Sequence, residues 1–220
     1  MGLCTGRSYA VLHEEILSLF SKDAFHIVSG GGQVISSAGE VLWSKELASE
    51  VVKSVYEVVD AQGGQCGFGV GKVFYANESL YKKMNPAVSE VPITIPNHLQ
   101  NWQTPYIFVA QMNDEIREFL YTLADVNIKN MTNYEGKEYC DITVAGVNKA
   151  VAAKQWAQLA GIDLEEIIAV GDSLNDFEVL QVVGHGVAMG NALPEIKKIA
   201  DQIIGHTDDD GLAKYLETFL

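Results

Sequence analysis

EIIAVGDSLNDFEVLQVV, residues Glu166–Val183, changes character twice, and those two changes set the reading of the whole chain. Its apolar opening, Ile167–Val170, is rich in β-branched residues and reads as a strand buried on both faces of a parallel sheet. Gly171 ends that run. Asp172, Ser173, Asn175 and Asp176 follow, and Phe177, Val179, Leu180 and Val183 then resume at helical spacing. A polar knot therefore sits between the carboxyl end of a strand and a helix, where open α/β sheets bind ligands. Two carboxylates in one short loop repel unless a cation lies near them, and hard oxygen ligands suit Mg²⁺. Helix capping also explains an aspartate at this point, although capping needs only one. Both readings stay open at this stretch.

The surrounding chain narrows the chemistry. With 220 residues, 48% hydrophobic and 20% charged, it can build one large or two modest domains with real cores. A net charge of −14 and a pI near 4.6 argue against a nucleic-acid or anionic-membrane surface. A small anionic substrate would need Mg²⁺ and a lysine. Cys4, Cys66 and Cys140 are widely spaced and form no CxxC pair, which fits a reduced cytoplasm. MGLCTGRSYA has no signal-peptide core, and no apolar run is long enough to span a membrane, so the expectation is a soluble, cytoplasmic chain.

Leu3-Cys4-Thr5-Gly6-Arg7-Ser8 precedes a helical pattern over 10–21, so Thr5 and Gly6 read as an anion site at a helix N-terminus or as an ordinary cap. Phe25–Ser29 reads as a strand, Gly30–Gly32 as a loop, and the segments 33–36 and 40–43 as a hairpin. Next come a helix over 47–62, strands over 65–70 and 72–76, and a helix over Glu78–Met84; 85–104 is the least regular part. A strand over 105–112, a helix over 115–125 and strands over 126–133 and 137–144 complete a segment that reads as a small α/β unit with an antiparallel sheet. Gly146-Val147-Asn148-Lys149 then leads into a helix over 150–159. Lys149 stands at the end of that helix where the dipole disfavours a cation, so it is either an ordinary surface lysine or one held by an acidic partner.

Read together, Leu-Cys-Thr-Gly-Arg at 3–7, Gly-Val-Asn-Lys at 146–149 and Gly-Asp-Ser-Leu-Asn-Asp at 171–176 resemble the second, third and fourth motifs of haloacid-dehalogenase (HAD) phosphatases of the Cof-like branch. Met-Gly-Asn-Ala at 189–192 and the segment 206–211 resemble the same family's closing region. The resemblance implies an α/β fold: a Rossmann-like HAD core of residues 1–30 and 142–220, with an α/β cap domain of residues 31–141 inserted. It implies a Mg²⁺-dependent phosphatase acting on a small phosphorylated metabolite. Thr5, Gly6, Lys149 and Asn175 would hold the phosphoryl group, with Thr5 and Lys149 as catalytic residues. Asp172 and Asp176 would serve the metal, and the cap would hinge near Gly30–Gly32 and Thr143–Gly146.

The pattern is incomplete in two places. Where family members carry Ser-Asn-Gly-Ala, this chain has Ser29-Gly30-Gly31-Gly32. The first motif, Asp-x-Asp-Gly-Thr, whose first aspartate attacks phosphorus, does not occur. The resemblance therefore predicts a parallel core sheet lacking its first strand, with a strand, loop and helix of roughly 30–40 residues missing at ordinary element lengths. It predicts little turnover by this chain alone, and oligomerisation through the incomplete sheet as one way to fill the groove. The alternative is a non-catalytic phosphate-binding or regulatory module of the same fold.

Overall fold

The computed structural model describes residues 1–12, 14–84, 92–97, 102–132 and 136–219, without the side chains of Glu14 and Met131. The chain divides into two compact units, Met1–Val147 and Asn148–Leu220.

In the first unit, Leu3–Thr5 runs beside β1 (Phe25–Val28), with a parallel bridge between Cys4 and Ile27. Between them lies α1 (Glu14–Ser18). The expected helix over 10–21 is thus cut down to a 3-10 turn, Tyr9–Val11, and this single short helix. The cause is Leu12, which is extended and sends its side chain into a cluster with Leu17, Val28 and Ile35. β1 pairs antiparallel with β2 (Gln33–Ser36), and β2 with β3 (Val41–Ser44). His26 ties this corner together: its Nδ1 accepts from the Leu3 N–H at 3.1 Å and its Nε2 lies 2.9 Å from Ser37 Oγ.

A six-stranded sheet follows, built from β4 (Gln65–Val70), β5 (Val73–Ala76), β6 (Ile93–Thr94), β7 (Ile107–Ala110), β8 (Val126–Thr132) and β9 (Glu138–Val144) in the order β6-β5-β4-β7-β9-β8. The expected antiparallel sheet contains one parallel pair, β5 with β6. The helices α2 (Ser49–Ala61) and α4 (Asp114–Tyr121) cover one face, sealing Val52, Val55, Val59, Ile116 and Leu120 against Phe68, Ile107, Val109 and Ile142. Cys66, Val109 and Cys140 sit on one rung across β4, β7 and β9 and are fully buried. On the opposite face Phe74 and Ala76 pack with Ala10 and with Leu80 of α3 (Glu78–Met84). Much of the irregular 85–104 segment lies outside the described residues.

The second unit opens with α5 (Lys149–Ala160), capped by Asn148, whose Oδ1 accepts from the Val151 N–H at 3.0 Å. β10 (Ile168–Gly171), α6 (Phe177–Val182), β11 (His185–Ala188), α7 (Pro194–Ile199), β12 (Gln202–Ile203) and α8 (Gly211–Glu217) follow. The sheet is parallel, in the order β10-β11-β12. Leu180, Ala188, Met189, Ala192 and Ile196 form its core. β10 corrects one expectation: Ile168 is 44% exposed and Ala169 and Val170 only half-buried, so this strand is not buried on both faces. It is an edge strand, with a strand neighbour on one side only among the described residues.

Candidate active site

The loop after β10 folds as a 3-10 turn, Leu174–Asp176, closed by a capping box between Ser173 and Asp176. Capping is therefore real, and it belongs to Asp176 alone. Oδ2 of that residue accepts from the backbone N–H groups of Asp172 and Ser173, both at 3.1 Å. Its Oδ1 accepts from Lys149 Nζ at 2.6 Å, and both side chains are buried. The same Nζ donates to Asn175 Oδ1 at 3.1 Å, which also accepts from Ser173 Oγ at 2.8 Å. Lys149 is the first residue of α5, so the cation disfavoured by the helix dipole is held by an anion reaching across from the next loop. The arrangement fixes an ammonium and a carboxylate in a low-dielectric corner with few degrees of freedom, as charge stabilisation requires.

Asp172 is placed differently. Its backbone is part of the capped turn, but no lysine is hydrogen-bonded to its carboxylate; the donors there are its own backbone N–H and, as the single side-chain donor among the described residues, Asn191 Nδ2 at 3.4 Å. Burial raises its pKa above the ordinary carboxylate range, the charge of Asp176 adds to this, and Lys149 offsets it in part. A solvent-accessible carboxylate whose charge is under-compensated suits a hard divalent cation, and Mg²⁺ commonly takes one or two carboxylates with water and phosphate oxygens completing its shell. The donor chemistry at Asp172 therefore fits Mg²⁺. Asp176 differs, because both of its oxygens are already engaged by protein donors. Among the described residues no group of three or more His, Cys, Asp or Glu side chains is placed to hold a metal.

In the other unit, the Thr5 N–H donates to Ile27 O at 2.9 Å, and Thr5 Oγ1 accepts from the Arg7 N–H at 3.2 Å. The turn after β1 is hydrogen-bonded to the same loop, Ser29 N–H to Arg7 O at 2.8 Å and Gly30 N–H to Thr5 O at 3.2 Å. Thr5 and Gly6 thus sit in a loop braced by its neighbouring strand, and the expected position at the start of a long helix is replaced by the extended Ser8 and the short turn Tyr9–Val11. Gly30 has φ +64°, a left-handed conformation open to Gly and tolerated by Asn, whereas at Gly32, where the family pattern has Ala, a Cβ would lie 2.7 Å from Pro105 Cβ.

Asn191 and Thr207 were not singled out by sequence reasoning. Thr207 donates to Asn191 Oδ1 from both its N–H, at 3.2 Å, and its Oγ1, at 2.6 Å, while Asn191 faces Asp172 through Nδ2. The available signals were the resemblances at 189–192 and 206–211, which name segments and no contact.

A parallel sheet with an aspartate-bearing turn at a strand's carboxyl end, faced by a buried lysine, places the site where open α/β folds bind ligands. The chain belongs to the haloacid dehalogenase-like hydrolase family, whose model matches residues 1–216. It is 28% identical over 222 residues to the HMP-PP phosphatase of Klebsiella pneumoniae, covering 98% of this chain and 81% of that protein. A shorter match, 39% identical over 79 residues, covers 36% of the chain and 29% of the 5-amino-6-(5-phospho-D-ribitylamino)uracil phosphatase YitU of Bacillus subtilis. Among solved structures, a haloacid dehalogenase-like hydrolase from Bacteroides thetaiotaomicron superposes with a TM-score of 0.83 at 23% identity, covering 100% of this chain and 86% of the other.

Proposed function

We propose that the chain works as a Mg²⁺-dependent HAD-type phosphoric monoester hydrolase on small phosphorylated metabolites, sugar phosphates or nucleotides, in the cytoplasm. The observation that carries this reading is the buried Lys149, held by Asp176 and Asn175 beside the under-compensated carboxylate of Asp172. In this reading Lys149 and Asn175 face the phosphoryl group, and Thr5 with Gly6 receives its oxygens as the family motif implies. Asp172 ligates Mg²⁺, which when bound neutralises phosphate charge and orients the ester. Asp176 supports that arrangement by fixing Lys149 and the turn. Residues 31–141 act as the cap over a core of 1–30 and 142–220. The phosphatase names of the Klebsiella and Bacillus relatives support the substrate class.

A second reading rests on one specific observation: none of the 220 residues forms an Asp-x-Asp-Gly-Thr nucleophile motif. Without that aspartate the same residues would bind phosphate and Mg²⁺ as a non-catalytic module, because Asp172 holds the metal and does not attack phosphorus. p-Nitrophenyl phosphate hydrolysis, measured beside calorimetric binding of Mg²⁺ and inorganic phosphate, separates the two. Mg²⁺-dependent turnover that disappears in Asp172→Ala supports the hydrolase. Binding without turnover supports the module, and neither binding nor turnover overturns both.

A further inference from the structure

We propose that Asn191 is a positioning residue for the Asp172 carboxylate, and that Thr207 holds Asn191 in the orientation this requires. The inference rests on the reading of Asp172 as a metal ligand. It starts from the loop between β11 and α7, which is hydrogen-bonded to the peptide units on either side of Asp172: Met189 N–H to Gly171 O and Leu193 N–H to Asp172 O, both at 3.0 Å. Asn191 is the residue this bracket carries toward the carboxylate. Its amide can face Asp172 in one sense only, because the Thr207 N–H can only donate and must meet Oδ1, which the Thr207 hydroxyl then also reaches. A flipped amide would set an NH₂ against the Thr207 N–H and an oxygen against a carboxylate. Thr207 therefore selects the state in which Asn191 presents Nδ2 to Asp172 Oδ2.

The segment that supplies Thr207 is itself fixed by close backbone packing. The Gly190 N–H donates to Gly205 O at 3.0 Å, and Lys197 Nζ donates to Gly190 O at 2.6 Å. A Cβ on Gly190 would lie 2.7 Å from His206 N, and one on Gly211 would run into the Gly205 carbonyl. These contacts leave the turn 205–211 no room to drift away from the loop. A carboxylate held by neutral donors alone keeps its charge for a cation while losing rotational freedom, which is the way outer partners of metal ligands act.

The test is Mn²⁺ binding by the full chain, followed by electron paramagnetic resonance, beside thermal melting. Asn191→Ala and Thr207→Val should each weaken Mn²⁺ binding about 10-fold or more, within the range found for outer partners of metal ligands. Thr207→Ser, which keeps both donors, should stay within about twofold of wild type. If Asn191→Ala and Thr207→Val lower Tm but bind Mn²⁺ as wild type does, the two residues are only structural and the proposal is overturned. Wild-type protein that binds no Mn²⁺ would overturn the metal reading of Asp172 itself, a different failure.

Discussion

Lys149 illustrates how a single charge is made stable in a place the helix dipole disfavours. It is 4% exposed and lies 2.6 Å from Asp176, so removing it leaves a buried carboxylate with only neutral donors, two backbone amides and the Ser173 hydroxyl. Lys149→Met should lower stability by about 3–5 kcal/mol in urea titration, the usual result of breaking a buried pair. Lys149→Met with Asp176→Asn should recover part of that loss; no recovery would mean that Asp176 is held chiefly by the turn. His26 gives a prediction of opposite chemistry. Its ring is buried, accepts the Leu3 N–H at Nδ1 and must be neutral to do so, and burial lowers its pKa from 6.5. The unfolded chain then binds the extra proton first, so this residue's contribution is intact above pH ~6.5 and declines as pH falls below it. His26→Gln should flatten that part of the Tm–pH curve while lowering Tm at neutral pH; an unchanged slope would show that other groups set it.

At the scale of elements, ends matter more than interiors. α4 starts at Asn113, whose Oδ1 accepts from the Ile116 N–H at 2.9 Å, and Asp114 and Glu115 fill its first turn. Asn113→Ala should destabilise the protein by about 1 kcal/mol and Asn113→Asp by no more than a few tenths, both measured by chemical denaturation. The same local logic made many elements legible: Glu78–Met84 lies where helical spacing puts it, and β2, β3, β4, β5, β8 and β9 fall on their β-branched or alternating runs. The misread helix over 10–21 shows the limit. Its apolar residues repeat at helical spacing, but Leu12 and Leu17 reach Val28 and Ile35 from an extended chain and a short helix, a tertiary choice that periodicity does not encode.

For the molecule as a whole, fold and site were legible to different depths. The strand–turn–helix around Asp172 could be read from spacing, and the charge of Lys149 at a disfavoured helix end raised the need for a partner as one of two readings, without naming Asp176. The Asn191–Thr207 contact could not be read, since two neutral polar residues 16 apart leave no charge imbalance in the sequence. The edge position of β10 is not written in its own residues, because Ile-Ala-Val has the same composition in a central strand and at an edge; it was implied only by the resemblance, through a sheet lacking its first strand. The thiols of the six-stranded sheet carry a last implication. Cys66 and Cys140 flank Val109 on one rung beneath α2 and α4; burial pushes the Cys140 thiol up to about 12 and raises that of Cys66 as well. Neither offers thiolate to an alkylating reagent while the sheet is closed, whereas Cys4 is half-buried. Under pulsed alkylation read by mass spectrometry, Cys4 should modify first, and Cys66 and Cys140 together, at the rate at which their shared rung parts. Distinct rates for those two would mean that the sheet comes apart strand by strand. The protein thus contains its own stopwatch for breathing of the sheet, and it runs independently of any phosphate or metal chemistry.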